Sequence, residues 1–200
     1  MNATVPRPTH ARRMFLLLAA LFLAPLAVSF YLYYASGWRP GGQVNRGELI
    51  APARSLPSVS LVTAEGVNTD PQFLRGRWTL LYIGNGACDA QCRTALYTIR
   101  QVRLALAEKM NRVQRVFLYR GSCCDSQFFA TEHAGLIAAN IDSQSGQVLL
   151  QAFPDDGAAL VGHIYLVDPL GNLMMRYAPE VAAQGMIQDL KRLLKLSHIG

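Results

Sequence analysis

The chain has 200 residues, 51% of them hydrophobic and 16% charged, with four cysteines and a formal net charge of +6. That length accommodates one domain plus extra segments. Three of the positive charges (Arg7, Arg12, Arg13) lie in the first thirteen residues, and no basic run with interleaved aromatics follows, which argues against nucleic-acid binding.

Residues 1–13 read as a short basic tail ahead of an apolar segment. Residues 14–34 run for 21 positions without a charge, enough to cross a bilayer core as a helix. Pro25 sits mid-span, and Tyr31, Tyr33, Tyr34 and Trp38 form an interfacial aromatic belt. A cleaved signal would have a shorter apolar region and a small-residue cleavage site, for which Ala35-Ser36-Gly37 is a poor match. The segment therefore reads as a single-pass anchor. Three arginines precede it and three follow (Arg39, Arg46, Arg54), so charge counting alone ties. The short basic tail favours a cytoplasmic N-terminus, and cysteines confined to the C-terminal portion agree with an oxidising compartment outside.

Residues 35–57, rich in Gly, Pro and Arg without apolar period, read as a linker, leaving 58–200 as the globular domain. Alternation over 58–63 predicts a strand, and Thr69-Asp70-Pro71 predicts the cap of a short helix ending near Gly76. The apolar run 78–83 predicts a buried strand. Cys88 and Cys92 follow it. Then Leu96, Ile99, Val102, Leu106 and Met110 mark a helix over 93–110. Residues 113–119 predict the next strand, and 121–125 a loop carrying Cys123 and Cys124. A strand over 136–141, a helix over 146–153, strands at 164–167 and 172–177 about a turn at 168–171, and an amphipathic helix over 179–196 complete the series. The whole is a mixed α/β plan, with one central sheet flanked by helices.

The chemistry concentrates at Cys88-Asp-Ala-Gln-Cys92. A strand delivering two thiols to a helix N-terminus favours thiolate, which is both a nucleophile and a soft-metal ligand. Cysteines at i and i+4 share a helix face, so they can form a disulfide or chelate one soft ion. A five-residue loop gains less from cross-linking than a long one, so a purely structural role is a weak use of the pair. Asp89 opposes thiolate formation at short range. Cys123 and Cys124 end a strand expected to lie parallel to 78–83, so they reach the same sheet edge. They read as incidental loop thiols or as accessory sulfurs that resolve the Cys88/Cys92 pair or add to a metal site. His133 reads as bland, and His10 and His198 fall in tails. Phe128, Phe129, Met174 and Met175 read as packing. Arg93, Arg100 and Arg103 share one helix face, taken as solvated ahead of an anion site.

The segment 74–84 (LRGRWTLLYIG), the CxxxC pair, a long helix and Tyr165-Leu-Val-Asp-Pro-Leu-Gly171 together resemble the Sco/SenC family over residues 58–196. These are membrane-tethered proteins implicated in copper delivery to, or thiol reduction of, the copper site of cytochrome c oxidase. The chain looks closest to the small membrane-bound Sco-like proteins of bacterial oxidase biogenesis. The resemblance implies a thioredoxin-like fold behind one N-terminal transmembrane helix, in a bacterial inner membrane with the domain periplasmic. It implies copper as cargo and, as partner, an oxidase subunit or another copper or thiol assembly factor. Cys88 and Cys92 match the family's cysteines. His163 stands nearest to the family's third copper ligand, although closer to the following strand than the pattern places it. Arg93 replaces the usual proline, and Cys123-Cys124-Asp125 replaces an aspartate-proline motif. Two other roles stay open: a general periplasmic thiol–disulfide oxidoreductase acting through the more exposed thiol, Cys88, and a non-catalytic scaffold. Dedicated reductases of this fold use CxxC with a cis-proline, and this chain has neither at those positions.

Overall fold

The computed structural model describes residues 8–35, 45–123, 126–154, 160–197 and 199. Two compact units divide the chain near residue 43. The first holds helix α1 (Pro8–Tyr34), whose stretch His10–Tyr34 is long and apolar enough to cross a membrane. The helix opens earlier than residue 14, because Pro8 suits a first helical position and Arg12 and Arg13 are good helix formers.

The second unit is built on strands β1 (Glu48–Ser55), β2 (Trp78–Asn85), β3 (Val113–Arg120), β4 (Leu136–Asn140), β5 (Ile164–Val167) and β6 (Asn172–Tyr177). Helices α2 (Ala90–Leu104), α3 (Ser126–Glu132), α4 (Gln144–Leu150) and α5 (Ala183–Leu196) connect and flank them. The sheet order is β1-β6-β5-β2-β3-β4. Strand β2 runs parallel to β3, and β3 to β4, whereas β5, β6 and β1 add antiparallel. This is the mixed sheet that the sequence predicts, and it agrees with the thioredoxin-like fold that the resemblance implies.

The central strand β2 is buried from Trp78 to Gly84, as an unbroken apolar run with both faces covered should be. Alternation sorts its side chains. Leu80 and Tyr82 join Leu96, Ile99, Phe117, Leu190 and Leu194 in the layer under α2 and α5. Leu81 and Ile83 face the opposite layer with Val116, Leu118, Leu149, Phe153 and Tyr165.

Helix α3 has no counterpart in the expected series, and four other segments differ from expectation. Residues 48–55, read as linker, form edge strand β1, exposed over most of its length and held by pairing with β6. Residues 58–63 form no extended strand. Leu61 enters the core, while Val62 and Thr63 make single bridges to Asn68 and Ala139. Backbone bonds from Asn140 to Val62 and from Ala64 to Ala138 let this segment cover the outer edge of β4. Residues 69–76 make only i→i+3 turns, Phe73 to Asp70 and Arg75 to Gln72. Helix α2 stops at Leu104, and Ala107 takes a left-handed φ of 50° before a 3-10 segment, Ala107–Arg112.

Candidate functional site

The carboxyl end of β2 sets the site. Asn85 accepts the Cys88 amide on its carbonyl (3.0 Å) and the Ala87 amide on its Oδ1 (2.9 Å), coiling residues 85–88 into a tight loop. Gly86 donates to the Arg120 carbonyl (2.8 Å). A methyl group at Gly86 would overlap the Ser122 backbone, so this loop packs directly on the one that carries Cys123. Cys88 has a φ of 46°, a left-handed conformation that non-glycine residues rarely adopt. Asp89 then caps α2, its Oδ1 accepting the Cys92 amide at 3.0 Å.

Cys88 and Cys92 form a disulfide, with Cα atoms 5.0 Å apart. Only 4% of Cys88 and 2% of Cys92 is exposed, so the oxidised pair is covered. Arg93 fastens the turn. Its Nε donates to the Cys88 carbonyl (3.3 Å), and its guanidinium lies 4.5 Å from the Phe128 ring centroid. Sequence reading missed this clamp. The available signal was an arginine directly after Cys92, since a side chain there can reach back to the carbonyl of the preceding turn. Beneath the loop, burial raises the Tyr82 hydroxyl pKa, and Asp89 adds to the effect.

Cys123 is half-buried against the same core layer as Cys88 and Cys92. It is itself disulfide-bonded, and because Cys88 and Cys92 pair with each other, that bond does not join the CxxxC pair. The two loops meet where Gly86 lies against the Ser122 backbone. Cys124 lies outside the described residues.

His163 comes to the same end of the sheet. Gly162, at φ 94°, donates to the Ile83 carbonyl near the end of β2 (3.2 Å) and lies against the Gln91 side chain in the first turn of α2. The His163 ring tilts on Tyr165 (6.3 Å between centroids), and its Nδ1 is buried with no hydrogen-bond partner. Among the described residues, no three His, Cys, Asp or Glu side chains meet as a metal cluster in this disulfide-bonded form. A cleft of about 520 Å³ adjoins the site, walled by Gln91, Thr94, Gly162, Pro179 and Met186.

The remaining residues sort as follows. Met175 is buried, and Phe129 stacks on Phe117 at 5.9 Å, both as packing residues. His10 lies on α1, and His198 lies outside the described residues. His133 sits at a helix end, as its position suggests. It is 3% exposed just after α3, and burial lowers its pKa, with Arg115 and Arg100 adding to the effect. Arg100 and Arg103 are half-buried rather than solvated.

Known proteins place this geometry. Copper-bound Sco1 from yeast superimposes with a TM-score of 0.61 at 15% identity, covering 74% of this chain and 96% of its own. Copper-bound ScoI from Bradyrhizobium japonicum gives 0.53 at 19% identity, covering 69% and 98%. Apo Sco1 from Thermus thermophilus gives 0.58 at 17%, covering 76% and 99%. At these identities the likeness establishes the thioredoxin-like fold. No curated protein sequence matches the chain. One family model, described as transmembrane-like, thioredoxin-like, C-terminal domain, matches residues 78–197. That stretch is more than half of the chain, runs from β2 through α5 and contains both cysteines of the CxxxC pair, so the protein belongs to this transmembrane-like, thioredoxin-like family.

Proposed function

We propose that this protein is a membrane-tethered Sco-like factor in cytochrome c oxidase biogenesis, handling Cu(I) or oxidase thiols through Cys88 and Cys92. The observation that carries this reading is the pair itself: two cysteines held at bonding distance across the first turn of α2, at the end of the central strand. Solved structures of the same fold include Sco proteins described as copper-bound. Reduction of the disulfide by two electrons releases two thiols. Their thiolates are soft donors suited to Cu(I), and the helix N-terminus stabilises them. His163 fits as a third donor, because its loop abuts α2 and its Nδ1 is buried without a partner. Copper here is cargo, passed by ligand exchange to an oxidase subunit or another assembly factor. Residues 14–34 would anchor the protein in a bacterial inner membrane, with residues 1–13 cytoplasmic and the globular unit periplasmic.

The test is titration of the fully reduced chain in detergent with Cu(I), against a competing chromophoric chelator. Wild type, a Cys88→Ser/Cys92→Ser double variant and His163→Ala are run together. Tight one-to-one binding that disappears in the double variant supports copper carriage, and weakened binding in His163→Ala supports the third donor. Equal binding by wild type and the double variant discards it. The disulfide between Cys88 and Cys92 favours a second reading, a general periplasmic thiol–disulfide oxidoreductase. That reading predicts a mixed disulfide with substrate protein and no dependence on copper.

A further inference from the structure

Strand β3 carries a charge where its pattern calls for an apolar residue. Val113, Phe117 and Tyr119 pack in the layer under α2, and by strand alternation Arg115 shares their face. Arg115 is only 4% exposed. Its Nη2 donates to the Ala134 carbonyl at 2.7 Å, but Nε and Nη1 are buried with no hydrogen-bond partner. Arginine is almost never fully buried without a paired anion, because an uncompensated charge in low dielectric is strongly unfavourable.

The neighbours sharpen the imbalance. Arg103 and Arg100 on α2 both act on Arg115, and burial with these two cations lowers its pKa to about 10, leaving it charged at neutral pH. Arg103 donates its Nε to the Val113 carbonyl (2.7 Å). Arg100 makes no hydrogen bond or ion pair among the described residues. His133, with its Nδ1 also buried and unpartnered, has its pKa lowered first by burial and further by Arg115 and Arg100. Among the described residues, exposed Glu132 is the acidic group that acts on this cluster, through His133. His133 and Ala134 also line a cavity of about 500 Å³, whose acidic residue is Glu65, so this end of the cluster borders accessible space.

We propose that Arg115, Arg100 and Arg103 form a binding site for a small oxyanion, a phosphate or a carboxylate, between α2 and the end of α3. The anion supplies the negative charge that the three guanidinium groups lack, and accepts from the unused N–H groups of Arg115 and from Arg100. The site is separate from the Cys88/Cys92 chemistry and does not depend on it.

The test is thermal unfolding of the full chain in detergent, in sodium phosphate, sodium acetate and sodium chloride at matched ionic strength. In wild type, phosphate or acetate raises the melting temperature in a saturable, dose-dependent way relative to chloride. Response to phosphate alone identifies a tetrahedral anion, and to acetate alone a carboxylate. Arg100→Gln, which disturbs no hydrogen bond, weakens the apparent affinity roughly tenfold or more. Arg115→Met abolishes the response. Identical melting in all three salts overturns the proposal, as does a full response in Arg100→Gln. The second result stands even where Arg115→Met folds poorly.

Discussion

Asp189 on α5 joins the start of the globular unit to its core, and removing its carboxylate should undo that junction. It is 3% exposed and accepts four hydrogen bonds from three donors. The Arg46 amide lies 2.9 and 3.1 Å from its two oxygens, the Gly47 amide 3.0 Å away and the Tyr177 hydroxyl 3.3 Å away. Gly47 lies flat on the Tyr177 ring, where any Cβ would overlap it. Strand β1 starts at the next residue and pairs only with β6, so this carboxylate pins its entry. A hydrogen bond to a charged group contributes about 1.5–3 kcal/mol, and stranded buried donors add their desolvation cost. Three donors acting on one acceptor are not additive, so Asp189→Ala should destabilise by about 3–5 kcal/mol. That corresponds to a fall in melting temperature of roughly 10 °C for a chain of this size. Asp189→Asn keeps an acceptor and loses the charge, and should cost roughly 1–2 kcal/mol. Denaturant unfolding measures the loss, and hydrogen exchange locates it. Exchange should accelerate first in β1, while β2 stays protected. A loss under about 1 kcal/mol in Asp189→Ala, or uniform acceleration across the sheet, would refute the reasoning.

Three further outcomes are expected. Gly86→Ala forces a methyl group into the Ser122 backbone and should destabilise by about 1–3 kcal/mol, with faster amide exchange in residues 86–92; unchanged exchange there would contradict the packing of the two loops. Reducing the Cys88–Cys92 disulfide opens a five-residue loop and should remove about 2 kcal/mol at 25 °C, seen as a melting temperature roughly 4–8 °C lower; equal melting of the two forms would argue against it. For His133, burial places the folded pKa below the unfolded value of 6.5, so its contribution is complete above that pH. It is lost as pH falls through the lower, folded value, because the unfolded chain binds the proton first. Urea midpoints should therefore drop on acidification from pH about 7.5 to about 5, and less steeply in His133→Gln; identical slopes would exclude His133 as the source.

Local pattern carried much of the fold. The unbroken apolar run of β2, the 3.6-residue period of α2 and α5, and the turn between β5 and β6 were all legible, because each records its own burial in its own spacing. The elements that were not legible lack such a record. Residues 48–55 include Pro52, Arg54 and Glu48, and are mostly exposed, so they become a strand only because β6 offers an unpaired edge. Residues 58–63 alternate like a strand but are drawn over β4, where covering an edge takes precedence over extending one. Helix α3 spans seven residues, too few to show a period, and it is fixed through Phe129 on Phe117 and Arg93 on Phe128.

The site divides in the same way. By itself the chain determined that two cysteines one helical turn apart would follow a buried strand, and that His163 would precede another. These are consequences of spacing, and spacing is a property of the chain alone. Only the tertiary structure decided that the cysteines are covered, that Cys123 bonds elsewhere, and that His163 arrives beside α2 with an unpartnered nitrogen. It also turned Arg100 and Arg103 from a solvated face into neighbours of a buried Arg115. Exposure and electrostatic environment depend on what other segments bring to a residue, and those segments lie far away along the chain.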